Sequence, residues 1–145
     1  MTQTTRIADH AAEHGRSLRG GVTLVAASAV ALAVWAITVP VAGLDLTVGS
    51  GPTAQTVGPA AVAVVPLLVG GAAWGLLAFL ARSFRNGLRA WRITAWVVLA
   101  LSLLGPASSG ASGAVLASLS AMHIAVGTVL IFGLAPTPTG RMRSR

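Results

Sequence analysis

Four stretches of this sequence are too apolar and too poor in charge to form the surface of a water-soluble protein. The first covers residues 21–39 and contains no ionisable side chain. The other three cover about 59–80, 91–105 and 112–134. Because roughly 20 helical residues cross the hydrocarbon core of a bilayer, we expect an all-α protein, a bundle of four transmembrane helices.

The overall composition agrees with a chain whose solvent is the bilayer. Only 9% of the 145 residues are charged, against about 25% in an ordinary soluble domain, and the mean hydropathy is +0.80. The absence of Cys excludes disulfides and Cys-ligated metals. The chain divides into a cytoplasmic N-terminal tail (1–19), a transmembrane domain (20–135) and a basic cytoplasmic C-terminal tail (136–145).

Proline and glycine residues mark the ends of these helices. Pro40 should close the first helix, because proline cannot continue the backbone hydrogen-bond ladder, and Pro59 suits the first turn of the second helix. The Gly105-Pro106 pair should end the third helix, which is short. That helix gains a turn at its start if Arg89 and Arg92 extend to the lipid headgroups.

The first loop, residues 41–58, is the longest connection. Leu44, Leu46 and Val48 alternate with polar residues, and residues 49–52 have the composition of a turn. This pattern predicts a short β-hairpin on the membrane face.

The placement of arginine predicts the orientation of the bundle. The two loops at 41–58 and 106–111 contain no basic residue, whereas the ten arginines lie in three clusters. These clusters precede the first helix, surround the second loop and follow the fourth helix: Arg6, Arg16 and Arg19; Arg82, Arg85, Arg89 and Arg92; Arg141, Arg143 and Arg145. Positive loops stay cytoplasmic, so we expect both termini in the cytoplasm and the chain in a bacterial inner membrane.

Two other interpretations of the basic residues are weaker. A net charge of +7 can indicate nucleic-acid binding, but arginines that flank apolar runs serve orientation, so no nucleic-acid partner is expected. A basic lead-in before an apolar run can also be a cleaved signal peptide. The first apolar run is longer than the 7 to 15 residues usual for such a core, which favours a retained helix.

His123 is the ionisable residue deep inside a predicted helix. It lies 11 residues after Ser112, about 16 Å along the helix at 1.5 Å per residue and therefore near the midplane. Ser120 and Gly127 share its helix face. An intramembrane ionisable group suggests a proton relay or substrate contact. The favoured alternative is a neutral imidazole that hydrogen-bonds a neighbouring helix and serves packing.

Other polar patterns do not form a convincing catalytic or metal site. The Gly110–Gly113 segment resembles the Gly-x-Ser-Gly motif of rhomboid-type intramembrane proteases. However, the depth offset between Ser112 and His123 is far beyond the about 3 Å that a nucleophile and its base require. Asp45, on the external loop, has no second carboxylate nearby in the sequence, and His10 with His14 lacks a third ligand of defined geometry. We therefore expect no enzyme activity, metal or cofactor.

A GxxxG pattern on the second helix, Gly71 to Gly75, allows two helix backbones to approach closely. It predicts either an internal helix contact, which we favour, or the face of a homo-oligomer. Pro66 in the same helix predicts a kink. Among the four tryptophans, Trp91 best fits a position at the membrane interface.

Several segments resemble one family of small bacterial membrane proteins, a domain of unknown function found in high-GC Gram-positive bacteria. They are the Ser102–Pro106 segment, the Ala121–His123 segment with its Val- and Ile-rich continuation, the loop at 43–48, and residues 74–77. The resemblance covers about residues 20–135. It implies four helices and no assigned activity, and His123 and Asp45 match recurring positions of its pattern.

The function expected from these features is that of a non-enzymatic interaction or accessory component. Its partners are the lipid bilayer and either another copy or another membrane protein. The alternative is a small oligomeric transporter or channel with His123 near the permeation path. An enzyme acting on a lipid ranks third, because it would need a polar cluster at one depth.

Overall fold

The computed structural model describes residues 2–49, 51–111 and 113–135, and it is almost entirely helical. Helix α1 runs from Thr2 to Ala36 and continues into a π-helical turn, Ile37–Val41. The strands β1 (Thr47–Val48) and β2 (Gln55–Thr56) flank a 3-10 turn, Gly51–Thr53. They are followed by α2 (Pro59–Ser83), α3 (Gly87–Ser102), α4 (Leu104–Ser108) and α5 (Gly113–Leu134).

Four helical segments in the described part of the chain are long and apolar enough to cross a membrane. They are Ser17–Val41, Pro59–Ser83, Gly87–Ser108 and Gly113–Leu134. The predicted class, an all-α bundle of four transmembrane helices, is confirmed, and the chain is a multi-pass membrane protein. Backbone groups cannot find water in hydrocarbon, so each crossing segment satisfies its own hydrogen bonds as a helix.

One helix start differs from the prediction and another matches an allowed option. Helix α1 begins at Thr2 rather than near residue 21; its lead-in contains no proline, and Gly15, Gly20 and Gly21 are accommodated within the helix. Helix α3 begins at Gly87, the start one turn before residue 91 that the sequence allowed, so Arg89 and Arg92 lie in its first two turns.

Two prolines that were expected to mark the ends of helices lie inside helical turns instead. Pro40 does not end the first helix but lies inside the π-helical turn, where the chain leaves through hydrogen bonds such as Ala42 N–H to the Ile37 carbonyl at 2.9 Å. Helix α3 ends at Ser102, before the Gly105-Pro106 pair, and Pro106 falls in the first turn of α4. Proline is tolerated in a first turn because that N–H has no helical acceptor.

The predicted β-hairpin is present in the first loop. Thr47 pairs with Thr56 and Val48 with Gln55 in an antiparallel register. Leu46, immediately before β1, is 1% exposed. The Gly49 N–H donates to the Ser109 carbonyl at 3.1 Å, which connects the hairpin to the segment after α4.

Helix α1 packs most extensively against α5 and α2, and α3 packs against α2 and α5. Small residues allow these approaches. A Cβ on Gly127 would lie 2.5 Å from Leu99 Cδ1 of α3, and a Cβ on Gly87 would lie 2.5 Å from the Leu80 carbonyl oxygen. The glycine at residue 87 therefore permits the tight α2–α3 turn. Across α1 and α2, the Ser28 hydroxyl donates to the Ala63 carbonyl at 3.0 Å.

Candidate functional site

A lateral groove lies between α2 and α3, with α5 as its floor. Its volume is about 690 Å³. Val69 on the α2 wall and Val98 on the α3 wall are 50% and 52% exposed, so the groove opens sideways, toward the space that lipid occupies. The lining is almost wholly apolar and includes no Arg, Lys, Asp or Glu among the described residues.

Residues near both ends of the bundle contribute to the lining of this lateral groove. At the end away from the α2–α3 turn, the hairpin residues Val48 and Val57 contribute to the lining together with Pro106 and Ser109. At the opposite end, Trp91 lines the groove one helical turn after α3 begins. The groove therefore extends along most of the length of the bundle, from the hairpin to the start of α3.

His123 lines the floor of the groove and is partly buried. Its Nδ1–H donates to the Leu119 carbonyl, one turn earlier in α5, at 2.8 Å. This hydrogen bond lies within α5, whereas the sequence analysis favoured a hydrogen bond to a neighbouring helix. In the tautomer that carries its single proton on Nδ1, Nε2 is a hydrogen-bond acceptor.

The other predicted site residues do not join His123 in the groove. Ser120 is partly buried on α5 but is not part of the lining. Asp45 is exposed in the loop before β1, where its carbonyl accepts from the Thr47 N–H at 2.8 Å. The structure therefore brings one of these three residues to the groove, and no group of three or more His, Cys, Asp or Glu that could hold a metal occurs in the described part of the chain.

The GxxxG pattern does not mark an internal helix contact. A Cβ built on Gly71 or on Gly75 would meet no atom within 4 Å. The close approach lies one residue earlier, where a Cβ on Gly70 would be 3.1 Å from both Leu130 Cδ2 and Leu24 Cγ. Gly70 thus faces the bundle, and the face of Gly71 and Gly75 has no partner among the described residues.

The arginines at the α2–α3 turn are exposed and lie together at one end of the bundle. Arg85 and Arg89, with Asn86, line a small surface cleft of about 440 Å³; Arg82 and Arg92 are exposed nearby in the sequence. Three predicted features lie outside the described residues: Ser112, the side chains of His10, Glu13 and His14, and the arginines at Arg141, Arg143 and Arg145.

Trp91 is the residue whose role the sequence did not reveal. It was expected at the membrane interface; within the protein, the structure buries it to 2% exposure among Leu77, Leu130 and other core residues. Its indole Nε1–H has no hydrogen-bond partner among the residues that the structure describes. The signal that sequence reasoning could have used is its spacing of four residues from Gly87, which places both on one face of α3.

Replacing His123 with Leu should leave the free energy of unfolding within about 0.5 kcal/mol of wild type. The lost bond is local, and the Leu119 carbonyl keeps the backbone hydrogen bond of the helix. Gly127→Val, on the same face one turn later, should cost about 2 kcal/mol because the new side chain displaces Leu99. Reversible unfolding in one detergent, followed by circular dichroism, measures both. If both variants lost the same free energy of unfolding, the His123 side chain would have a stabilising role in the fold.

Comparison with known proteins places this arrangement in a family. Residues 11–139 match the model of a family described as "Family of unknown function (DUF6069)". No curated protein and no solved structure matches the chain. The match includes all four membrane-crossing segments together with residues 11–16 of α1, so the resemblance to an uncharacterised family is confirmed. The chain belongs to the family of unknown function DUF6069.

Proposed function

We propose that this protein is a non-enzymatic component of the membrane that acts by binding an apolar partner, within the bilayer, through its lateral groove. The observation that carries the proposal is that polar side chains in the lining form hydrogen bonds with nearby backbone carbonyls. The hydroxyls of Ser102 and Ser109 donate to the carbonyls of Leu99 and Pro106, each at 2.7 Å, and His123 donates to its own helix. These local bonds leave a lining that is apolar apart from Nε2 of His123 and the side chain of Thr94.

The same arrangement disfavours catalysis as the main activity. An acid–base or nucleophilic mechanism needs several groups aimed at one reacting atom. His123 is the titratable side chain of the groove, and the hydroxyl protons of Ser102 and Ser109 point to backbone carbonyls three residues earlier. A preformed apolar recess of about 690 Å³ falls within the range of roughly 300 to 1,000 Å³ for binding sites.

Site-specific photo-crosslinking from the groove tests this function. A benzoylphenylalanine at Val98, which lines the groove, should yield one discrete adduct in native membranes. The matched position is Val97, which is 51% exposed against 52% for Val98 but lies outside the groove. It should yield only the mixture of bulk lipids. Mass spectrometry of the two products would contradict the proposal if both positions gave the same mixture.

We also propose that the protein lies in a bacterial inner membrane with both termini in the cytoplasm. The support is the placement of Arg82, Arg85, Arg89 and Arg92 at the α2–α3 turn, against loops at the other end that contain no basic residue. The two unpaired glycines of α2, Gly71 and Gly75, support a homo-oligomer or another membrane protein as a further partner.

Single-cysteine labelling tests the orientation, and the absence of native Cys removes any background. In spheroplasts with a sealed inner membrane, a membrane-impermeant maleimide should label Ala54→Cys and Ser108→Cys. Ser83→Cys, next to the arginine turn, should react only after permeabilisation, because positive loops are retained in the cytoplasm. Labelling of Ser83→Cys from outside, with Ala54→Cys protected, would reverse the proposed topology.

The alternative function is a small oligomeric transporter or channel. The position of His123 in the lining, 10 residues into α5, favours it, since intramembrane ionisable residues often mark substrate pathways. Against it, no second titratable side chain joins His123 in the lining within the described part of the chain. Solute flux in proteoliposomes that disappears in a folded His123→Ala variant would select this alternative.

A further inference from the structure

The turn between α2 and α3 concentrates positive charge that the described residues do not neutralise. Arg82, Arg85, Arg89 and Arg92 are all exposed, and none of their guanidinium groups forms a hydrogen bond or an ion pair within the part of the chain that the structure describes. The described side chains include one carboxylate, Asp45, which lies in the first loop at the other end of the bundle. Such a cluster attracts anions from its surroundings.

The geometry of the turn holds these charges at the level of the lipid headgroups. Helix α2 has 25 residues, which gives about 37 Å at 1.5 Å per residue and exceeds the roughly 30 Å of hydrocarbon in a bilayer. Residues 84–86 alone connect α2 to α3. The Phe84 N–H donates to the Leu80 carbonyl, and the Gly87 N–H donates to the Phe84 carbonyl, each at 3.1 Å. So short a connection keeps the arginines close to the membrane surface.

Two of the arginines share the small surface cleft at this turn, the arginine cleft, with apolar side chains. Arg85 and Arg89 line it together with Asn86, Phe84 and Leu88. Phe84 is 55% exposed and Leu88 is 48% exposed. Guanidinium groups suit phosphate oxygens, which they can bind through two parallel hydrogen bonds. The two exposed apolar side chains suit hydrocarbon beside that phosphate.

An anionic phospholipid carries both chemistries in one molecule at this depth. Its phosphate lies among the headgroups, and its acyl chains begin directly below them. Free phosphate would use the arginines but would leave Phe84 and Leu88 without a partner. An acidic segment of a cytosolic protein would bind best to charges that project beyond the headgroups, whereas this three-residue connection does not project.

We infer that the arginine cleft binds an anionic phospholipid, with its phosphate held by Arg85 and Arg89 and the start of its acyl chains against Phe84 and Leu88. The amide of Asn86 is a further donor. None of these residues lines the lateral groove, so the inference goes beyond the proposed function. The proposed orientation places the lipid in the cytoplasmic leaflet, but binding itself does not depend on orientation.

Equilibrium binding of acyl-labelled phosphatidylglycerol and phosphatidylcholine to the full-length protein in a non-ionic detergent tests the site. Wild type should prefer the anionic lipid by about 25-fold, because each basic residue near an anionic surface contributes about a factor of five. Arg85→Gln with Arg89→Gln should reduce this preference to about 3-fold or less. The matched pair Arg82→Gln with Arg92→Gln removes the same charge outside the cleft and should retain about 10-fold or more.

Charge-preserving variants keep the test decisive if the Gln variants fail to insert. Arg85→Lys with Arg89→Lys keeps both positive charges but loses the planar pair of donors, so phosphatidylglycerol should bind about 3-fold more weakly or worse. Arg82→Lys with Arg92→Lys should match wild type.

A second pair of variants tests the apolar wall of the arginine cleft. Leu88→Ala should weaken binding of phosphatidylglycerol, because it removes a contact with the acyl chains. Ile93→Ala truncates a side chain of the same size that is 58% exposed and lies outside the cleft, and it should have no effect.

Equal binding of the two lipids by wild type would overturn the preference for an anionic lipid, and equal losses in the two Gln pairs would overturn the cleft as the site. Displacement of phosphatidylglycerol by inorganic phosphate beyond that by chloride at equal ionic strength, with Leu88→Ala unchanged, would identify free phosphate as the occupant. A benzoylphenylalanine at Leu88 that gave a protein adduct in native membranes, and no phospholipid adduct, would also overturn the lipid. The result expected from Val98 is independent of these outcomes, so this site can fail while the proposed function stands.

Discussion

The structure depends on one constraint, the need to pair every backbone polar group without water. In hydrocarbon an unpaired N–H or carbonyl costs several kcal/mol, so only closed hydrogen-bonding patterns can cross. The four spans meet this requirement as helices, and the residues that the structure describes form strands only in the loop that connects α1 and α2. The hydroxyls of Thr23, Ser102 and Ser118 follow the same rule, because each donates to a carbonyl three or four residues earlier.

Helix association then relies on shape, because lipid tails are as apolar as the helix surfaces and provide no hydrophobic driving force. This close packing occurs at contacts where one of the two residues is a glycine, which has no side chain. Gly127 receives Leu99, Gly133 receives Thr23, and Gly70 lies against Leu24. These contacts gather α1, α2 and α5 tightly, while α3 meets α2 closely at Gly87 and α5 at Gly127. The groove is the space that remains between α2 and α3 above the turn.

The sequence was sufficient for the fold class because long apolar runs and their flanking prolines are local signals. The hairpin could also be predicted, since the alternation around Leu46 precedes a glycine-rich turn. Helix starts were less predictable: α1 continues through the glycines of its lead-in, which contains no proline, and Arg89 is compatible with both the loop and the first turn of α3. The expected internal contact at Gly71 and Gly75 lies at Gly70 instead, because helix rotation is determined by neighbours that are distant in the chain.

The candidate site was largely beyond sequence reasoning. His123 was singled out on chemical grounds and lines the groove, but its hydrogen bond to Leu119 depends on a rotamer. Trp91 looked like an interfacial residue because it stands beside Arg92, and its burial follows from the close packing that Gly87 permits. A groove formed jointly by three helices has no signature in any one of them.

The central claim is that α3 packs on α5 but stays separated from α2 above the turn, and disulfide trapping in native membranes tests it most directly. Oxidation should cross-link the pair Leu99→Cys with Gly127→Cys, since the two positions are in van der Waals contact and a disulfide needs Cα atoms within about 7 Å. The pair Val69→Cys with Val98→Cys, on opposite walls of the groove, should remain reduced. Efficient cross-linking of the second pair, with the first pair unreactive, would contradict the account.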